Sequence, residues 1–182
     1  NYYLKQKNIN EAENHYLKVI QLRKELNDDK GLAAVYNNMV VLKEQQGNSI
    51  EALKYLNESL EIRRRLGNPS DLALTLIRLG NMQLINGSYK EAKSSYEEVL
   101  TLVDATKDKR AYLNTLNSLT SCLLELGKYK DANDRIETAL PIANQLNDAD
   151  LENITLYNKA LVLYYMGNFR EAIEINTKVI KH

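Results

Sequence analysis

Two histidines, His15 and His182, and a single cysteine, Cys122, are all that 182 residues offer of those side chains, which limits the chemistry the chain can do. A Ser-His-Asp relay, an H-E-x-x-H zinc site or a histidine-rich metal site cannot be assembled from them. One cysteine supports neither an internal disulfide framework nor a Cys-based zinc site. No Gly-rich loop follows a strand-like run, so a phosphate cradle has no support. Carboxylates are abundant, and Glu11, Glu51, Glu91, Asp131 and Glu171 form a regular series. Paired carboxylates do acid–base work only where they meet. A spacing of 40 residues spreads these along successive copies of one unit, each in the first turn of a helix, where the macrodipole favours negative charge. The expectation is a protein that is not an enzyme and uses no cofactor and no metal.

The series belongs to a hexapeptide that returns every 40 residues: Lys7–Ala12, Gly47–Ala52, Gly87–Ala92, Gly127–Ala132 and Gly167–Ala172. Five copies in register mean an array of equivalent units, each burying its apolar face against its neighbours. Between hexapeptides the apolar residues recur at helical spacing, in two stripes. In the second unit Leu32, Val35, Tyr36, Met39, Val40 and Leu42 define a first helix, and Ala52, Leu53, Leu56, Leu60 and Ile62 a second, with Leu66 at its end. Gly ends the first helix because it reaches the left-handed region without a Cβ penalty. Lys7 replaces it in the first copy, so that turn is expected to be strained or altered. Tyr89, Tyr129 and Phe169 can plug the elbow between paired helices, Ile9 less fully, and Ile50 can compensate for Ser49. Ala12, Ala52, Ala92, Ala132 and Ala172 let the two helices approach closely.

Polar links, 27–30, 67–70, 107–110 and 147–150, stop one helix and cap the next. Pro69 is harmless there, whereas Pro141 falls inside a helix and predicts a kink. Cys122 shares its register with Tyr2, Leu42, Met82 and Val162 and reads as core, while His15 reads as a helix-surface or interhelix residue. The expected organisation is one solenoid over 1–182: a partial unit 1–30, units 31–70, 71–110 and 111–150, and a truncated unit 151–182. The chain starts without Met and inside a repeat, and so reads as a piece of a larger protein.

The turn Gly, nearby aromatic and following Ala resemble the tetratricopeptide repeat, a helix-turn-helix unit, over essentially the whole chain. The period of 40 exceeds the family's usual length of about 34. An early-helix Trp is absent, with Tyr36, Leu76, Leu116 and Leu156 in its register. The longer unit is similar to the variant in kinesin light chains and in bacterial peptide-sensing and signalling arrays. The resemblance implies an all-α fold, a right-handed α-solenoid of stacked antiparallel helix pairs, in which first helices line a concave groove that takes a peptide or protein segment.

Ten, nine and six residues before each turn Gly lie the positions expected to read a ligand: Asn37, Asn38 and Val41; Ile77, Arg78 and Asn81; Asn117, Ser118 and Ser121; Tyr157, Asn158 and Leu161. This face is polar but nearly uncharged. An Asn amide both donates and accepts, so a row of them can pair with an extended backbone whatever its side chains. By resemblance, Asn38 and Asn158 stand where asparagines clamp ligand main chain; Arg78 and Ser118 replace them in the units between, and Arg78 could take a carboxylate bidentately. The Lys and Asn pattern of chaperone-binding relatives is not reproduced. With 21 asparagines in the chain, the row has a second reading as compositional bias. Tyr157, Tyr164 and Tyr165 read either as a partner-binding patch or as a contact for a further unit. Lys159, in the register of Met39, Leu79 and Leu119, either snorkels or marks a different packing of the last pair.

Equal numbers of acidic and basic residues, 24 each, argue against nucleic acid or an anionic membrane surface as the main partner. No apolar run approaches the ~18 residues that span a bilayer, and no signal peptide is visible. The expected partner is therefore a protein or peptide, with no direct membrane contact and a cytoplasmic location. A structural spacer or homodimerisation module is the competing expectation.

Overall fold

The computed structural model describes residues 2–180, and the side chains of 8–179. Among the described residues it is all α-helix: α1 (Tyr2–Glu25), α2 (Asp29–Gln45), α3 (Ser49–Leu66), α4 (Pro69–Ile85), α5 (Tyr89–Leu102), α6 (Lys109–Glu125), α7 (Tyr129–Leu146), α8 (Ala149–Tyr165) and α9 (Phe169–Ile180). The chain divides within α4 into two compact units, Asn1–Thr75 and Leu76–His182.

In the first unit α2 packs against both α1 and α3. Leu32, Val35, Tyr36, Met39 and Leu42 of α2 are buried with Ile20 of α1 and Ile62 of α3, and Ala52 is fully buried. The pair α2–α3 turns through a Schellman motif. The Gly47 amide donates to the Glu44 carbonyl at 3.0 Å, and that of Asn48 to Lys43 at 2.9 Å, with Gly47 at φ +70°. A Cβ at Gly47 would meet nothing within 4 Å, so the backbone angle and not space demands the glycine. The motif recurs at Gly87, Gly127 and Gly167. It does not recur at Lys7, where α1 runs straight through the first hexapeptide. Lacking a residue that enters the left-handed region freely, this segment continues its helix, so that of the two expectations the turn is altered and not strained. The register of Tyr2 lies outside the described side chains. Ile50 is 85% exposed and plugs no elbow.

In the second unit α6 packs against α5, α7 and α8, and α8 against α7 and α9. Ala92, Tyr96, Leu119, Cys122, Leu123, Ala132 and Val162 share one core cluster, and Leu113, Leu116, Ile136, Ala139, Ala143 and Leu151 another. Cys122 is thus core, as its register predicts, and His15 of the first unit is exposed. Gly80 and Tyr96 trade volume: a Cβ at Gly80 would stand 2.7 Å from the Tyr96 ring. In their registers the second unit of the array carries Val40 and Leu56.

Links cap as their composition predicts. The Asp28, Asp108 and Asp148 carboxylates and the Asn68 amide oxygen accept from backbone amides three residues on, at 2.8–3.2 Å. Pro69 opens α4, and α7 continues through Pro141 to Leu146. The third link is longer than expected, because α5 stops at Leu102. Asp104 there accepts from both the amide and the hydroxyl of Thr106, at 2.8 and 2.6 Å, a local turn that competes with the helix. Lys159 reaches from α8 to α7, paired with Glu137 and 3.3 Å from Asn133 Oδ1, which is how a lysine occupies an apolar register.

Candidate functional site

Each unit carries its own portion of the first-helix face. In the first unit Asn38 and Val41 of α2 are exposed and, with Ile9, Ala12 and Tyr16 of α1 and Leu42, line a cleft of about 390 Å³. Asn37 is half-buried, and its Oδ1 is buried without a hydrogen-bond partner among the described residues. At the turn end of α2, Lys43 lies with Nζ 2.6 Å from Glu13 of α1 and 2.6 Å from Glu51 of α3. Gln46 donates to the other Glu13 oxygen at 2.8 Å. Hydrogen bonds from Lys43 and then Gln46 hold the Glu13 carboxyl below its ordinary pKa. Burial pulls the Lys43 ammonium down, yet its two carboxylate partners outweigh this and raise it. Glu51, one of the regular carboxylates, therefore closes an ion triad across three helices.

In the second unit the predicted residues part into two groups. Asn81 and Tyr157 are exposed, and Arg78, Ser118 and Ser121 are half-buried. Asn117 and Asn158 are buried, at 5% and 6% exposure. Asn117 Nδ2 donates to Thr155 Oγ1 at 3.0 Å, and Asn158 Nδ2 donates to Asn117 Oδ1 at 3.3 Å. Their amides thus tie α6 to α8, and Ser121 Oγ adds a bond to the Asn117 carbonyl at 3.2 Å. What remains open to solvent is a polar face of Asn81, Ser118, Ser121 and Tyr157.

Sequence reasoning missed the residue that joins this face. Tyr96 of α5 is fully buried, and its hydroxyl donates to Asn81 Oδ1 at 2.6 Å, with the Ser118 side chain beside it. Burial pushes the phenol up to about 12. The available signal was a polar-tipped aromatic at a core register that holds Tyr16, Leu56 and Ile136 elsewhere. Farther along, Tyr129 stacks on Tyr165 with centroids 5.2 Å apart, and Tyr164 stands edge-on to both Tyr165 and Phe169. Tyr164, Phe169 and Ile173 line an apolar cleft of about 290 Å³ between α8 and α9. Among the described residues no group of three or more His, Cys, Asp or Glu could hold a metal ion, and no helix is long and apolar enough to cross a membrane.

Stacked helix pairs with glycine elbows, carrying polar first-helix faces, define a helical-repeat protein of the kind that serves protein–protein interaction. The tetratricopeptide repeat family model matches residues 1–65 and 71–145, and the chain belongs to that family. Comparison with curated protein sequences gives no match. Among solved structures, BtubC (BKLC) from P. vanneervenii superposes with a TM-score of 0.84 at 20% identity, covering 98% of this chain and 74% of that one. The TPR-like repeats of a kinesin light chain candidate from Podosopora anserina give 0.78 at 16%, over 99% and 89%. A STAND protein with a tetratricopeptide repeat sensor, from Pyrococcus horikoshii, gives 0.82 at 23%, over 98% of this chain and 28% of that one. These likenesses place the fold as an all-α repeat solenoid.

Proposed function

We propose that this chain is a non-enzymatic binding module that takes an extended peptide or partner helix along its first-helix faces, as the sensory or scaffolding part of a signalling protein. The observation that carries the reading is the open polar row of the second unit, where Asn81, Ser118, Ser121 and Tyr157 face solvent while core residues fill the adjacent registers. The cleft beside Asn38 and Val41 supplies a separate subsite in the first unit. The repeat sensor of the P. horikoshii STAND protein supports the sensory role. Calorimetric titration of a peptide library against the purified chain tests the reading. Asn38→Ala and Tyr157→Ala are each expected to weaken a selected peptide by roughly three- to tenfold, the worth of about one hydrogen bond or contact. Affinity unchanged in both variants sinks the assignment.

A second reading, self-association, is favoured by the apolar cleft at α8–α9, where Tyr164, Phe169 and Ile173 are 56%, 55% and 66% exposed. Exposed apolar patches of this kind mark association surfaces. Light scattering decides it: a dimer that Tyr164→Glu dissociates, with no peptide bound, supports this reading, and a monomer at all concentrations removes it.

A further inference from the structure

Position 86 breaks the equivalence of the elbows. The residues before the turn glycines are Gln46, Asn86, Leu126 and Met166, and Asn86-Gly87 is the one Asn-Gly pair in the chain. Such a pair carries a reaction of its own. The side-chain amide carbon of Asn can close a five-membered ring with the backbone nitrogen that follows it, and a glycine there puts no side chain in the way. At Gln46 the extra methylene makes the corresponding ring six-membered and slower to close, and its amide is held by Glu13 at 2.8 Å.

The structure leaves Asn86 open to this reaction and also meters it. Asn86 and Gly87 are both exposed, and a Cβ on Gly87 would meet nothing within 4 Å, so a ring has room to form. The attacking nitrogen is the one that donates to the Leu84 carbonyl at 3.1 Å, and the next amide, of Ser88, donates to Gln83 at 2.8 Å. These Schellman bonds must release before the nitrogen can turn towards the side chain. The two asparagines followed by serine, Asn48 and Asn117, are held back. Asn48 Oδ1 accepts from the Glu51 amide at 3.1 Å, and Asn117 is buried with its Nδ2 on Thr155.

We propose that Asn86 is a self-modification site whose reaction rewrites the α4–α5 elbow. The Gly87 nitrogen bonds to Asn86 Cγ, the Cγ–Nδ2 bond breaks, and the side-chain nitrogen leaves as ammonia with the proton that Gly87 gives up. Water, the only co-reactant, then adds across one of the two imide carbon–nitrogen bonds, and nothing is oxidised or reduced. Addition at Cγ leaves aspartate; addition at the Asn86 carbonyl carbon leaves isoaspartate, with the main chain rerouted through Cγ. Isoaspartate inserts a methylene between α4 and Gly87, so the Gly87 and Ser88 amides no longer both reach their carbonyls. Either product sets a carboxylate at the C-terminal end of α4, where the macrodipole disfavours it. Ser88 makes no side-chain cap to α5 that would compensate.

The test ages the full chain in neutral buffer, folded and unfolded in guanidinium chloride, beside the folded Asn86→Gln variant. Tryptic peptide 79–90 is read by mass spectrometry, and isoaspartyl methyltransferase reports the rerouted linkage. The folded wild-type chain is expected to form isoaspartate and aspartate at 86, roughly ten- to a hundredfold more slowly than the unfolded chain, as for release of one or two hydrogen bonds. The rate is expected to rise with pH, because the attacking nitrogen must lose its proton. Asn86→Gln should stay unmodified and keep its denaturation midpoint over the time in which the wild-type midpoint falls. A folded chain that stays unmodified while the unfolded chain reacts overturns the site. Aspartate without isoaspartate overturns the ring-closing route, and equal rates in the folded and unfolded chains overturn the metering by the elbow. An aged chain as stable as a fresh one overturns the structural consequence.

Discussion

Gly80 and Tyr96 show how a repeat changes its interior without changing its fold. The ring fills the space that a side chain at position 80 would need, 2.7 Å from where a Cβ would stand. Val40 and Leu56 fill the same registers with the volumes redistributed. Gly80→Val is therefore expected to cost about 2–3 kcal/mol in chemical denaturation, as overpacking of a rigid core does. Adding Tyr96→Leu should return at least about 1 kcal/mol of that loss, a coupling typical of residues in contact. Simple additivity of the two changes would show that they do not share the space. The exchange also explains why the polar contact of Tyr96 was hard to see in the sequence: its ring is core, and only its hydroxyl, invisible to an apolar pattern, reaches Asn81.

Among the elements, the helices and their ends were legible because each rests on a local cause. Schellman glycines, Asx caps and apolar stripes at helical spacing all stood in the sequence and recur in the structure. The failures are also local. At Lys7 the pattern repeated while the residue that forces the turn was missing, so periodicity predicted a break where conformational preference makes a helix. Side-chain pairing between helices was less legible, since no period announces it. Lys43 sat unremarked in the sequence, yet it joins α1, α2 and α3 through Glu13 and Glu51. Its consequence is a pH dependence. Glu13 has a depressed folded pKa, so its contribution is present above the ordinary carboxylate range, about 4.3, and is lost as pH falls through the lower folded value. Lys43 is raised, so its contribution is present below about 10.4 and lost as pH rises through the higher folded value. Lys43→Met should flatten both limbs of a stability-against-pH curve measured by denaturant titration and cost about 1–3 kcal/mol at neutral pH, since it strands partly buried carboxylates. An unchanged curve would show that the triad is idle in solution.

For the molecule as a whole, fold class was the most legible property and the binding face the least. A five-copy register specifies an array before any single helix is certain, because the copies corroborate one another. The face carries no such redundancy. Positions counted from the turn glycines located first-helix residues correctly, but counting cannot tell an amide that faces solvent from one that faces its neighbour. Asn81 and Asn117, four registers apart in role, look alike in sequence; Asn117 and Asn158 turn inward only because Thr155 and each other offer partners there. The division inside α4 was equally unannounced, falling a few residues past the repeat boundary at 70/71.

Cys122 gives that compact second unit an internal clock. It is the chain's one thiol, fully buried, with its pKa pushed up to about 11 by burial. A thiol reagent can reach it only when the surrounding helices part, so the labelling rate at fixed pH counts openings of this region and of no other. A bound ligand that tightens α4 against α6 would slow the clock, and its reading needs no engineered probe.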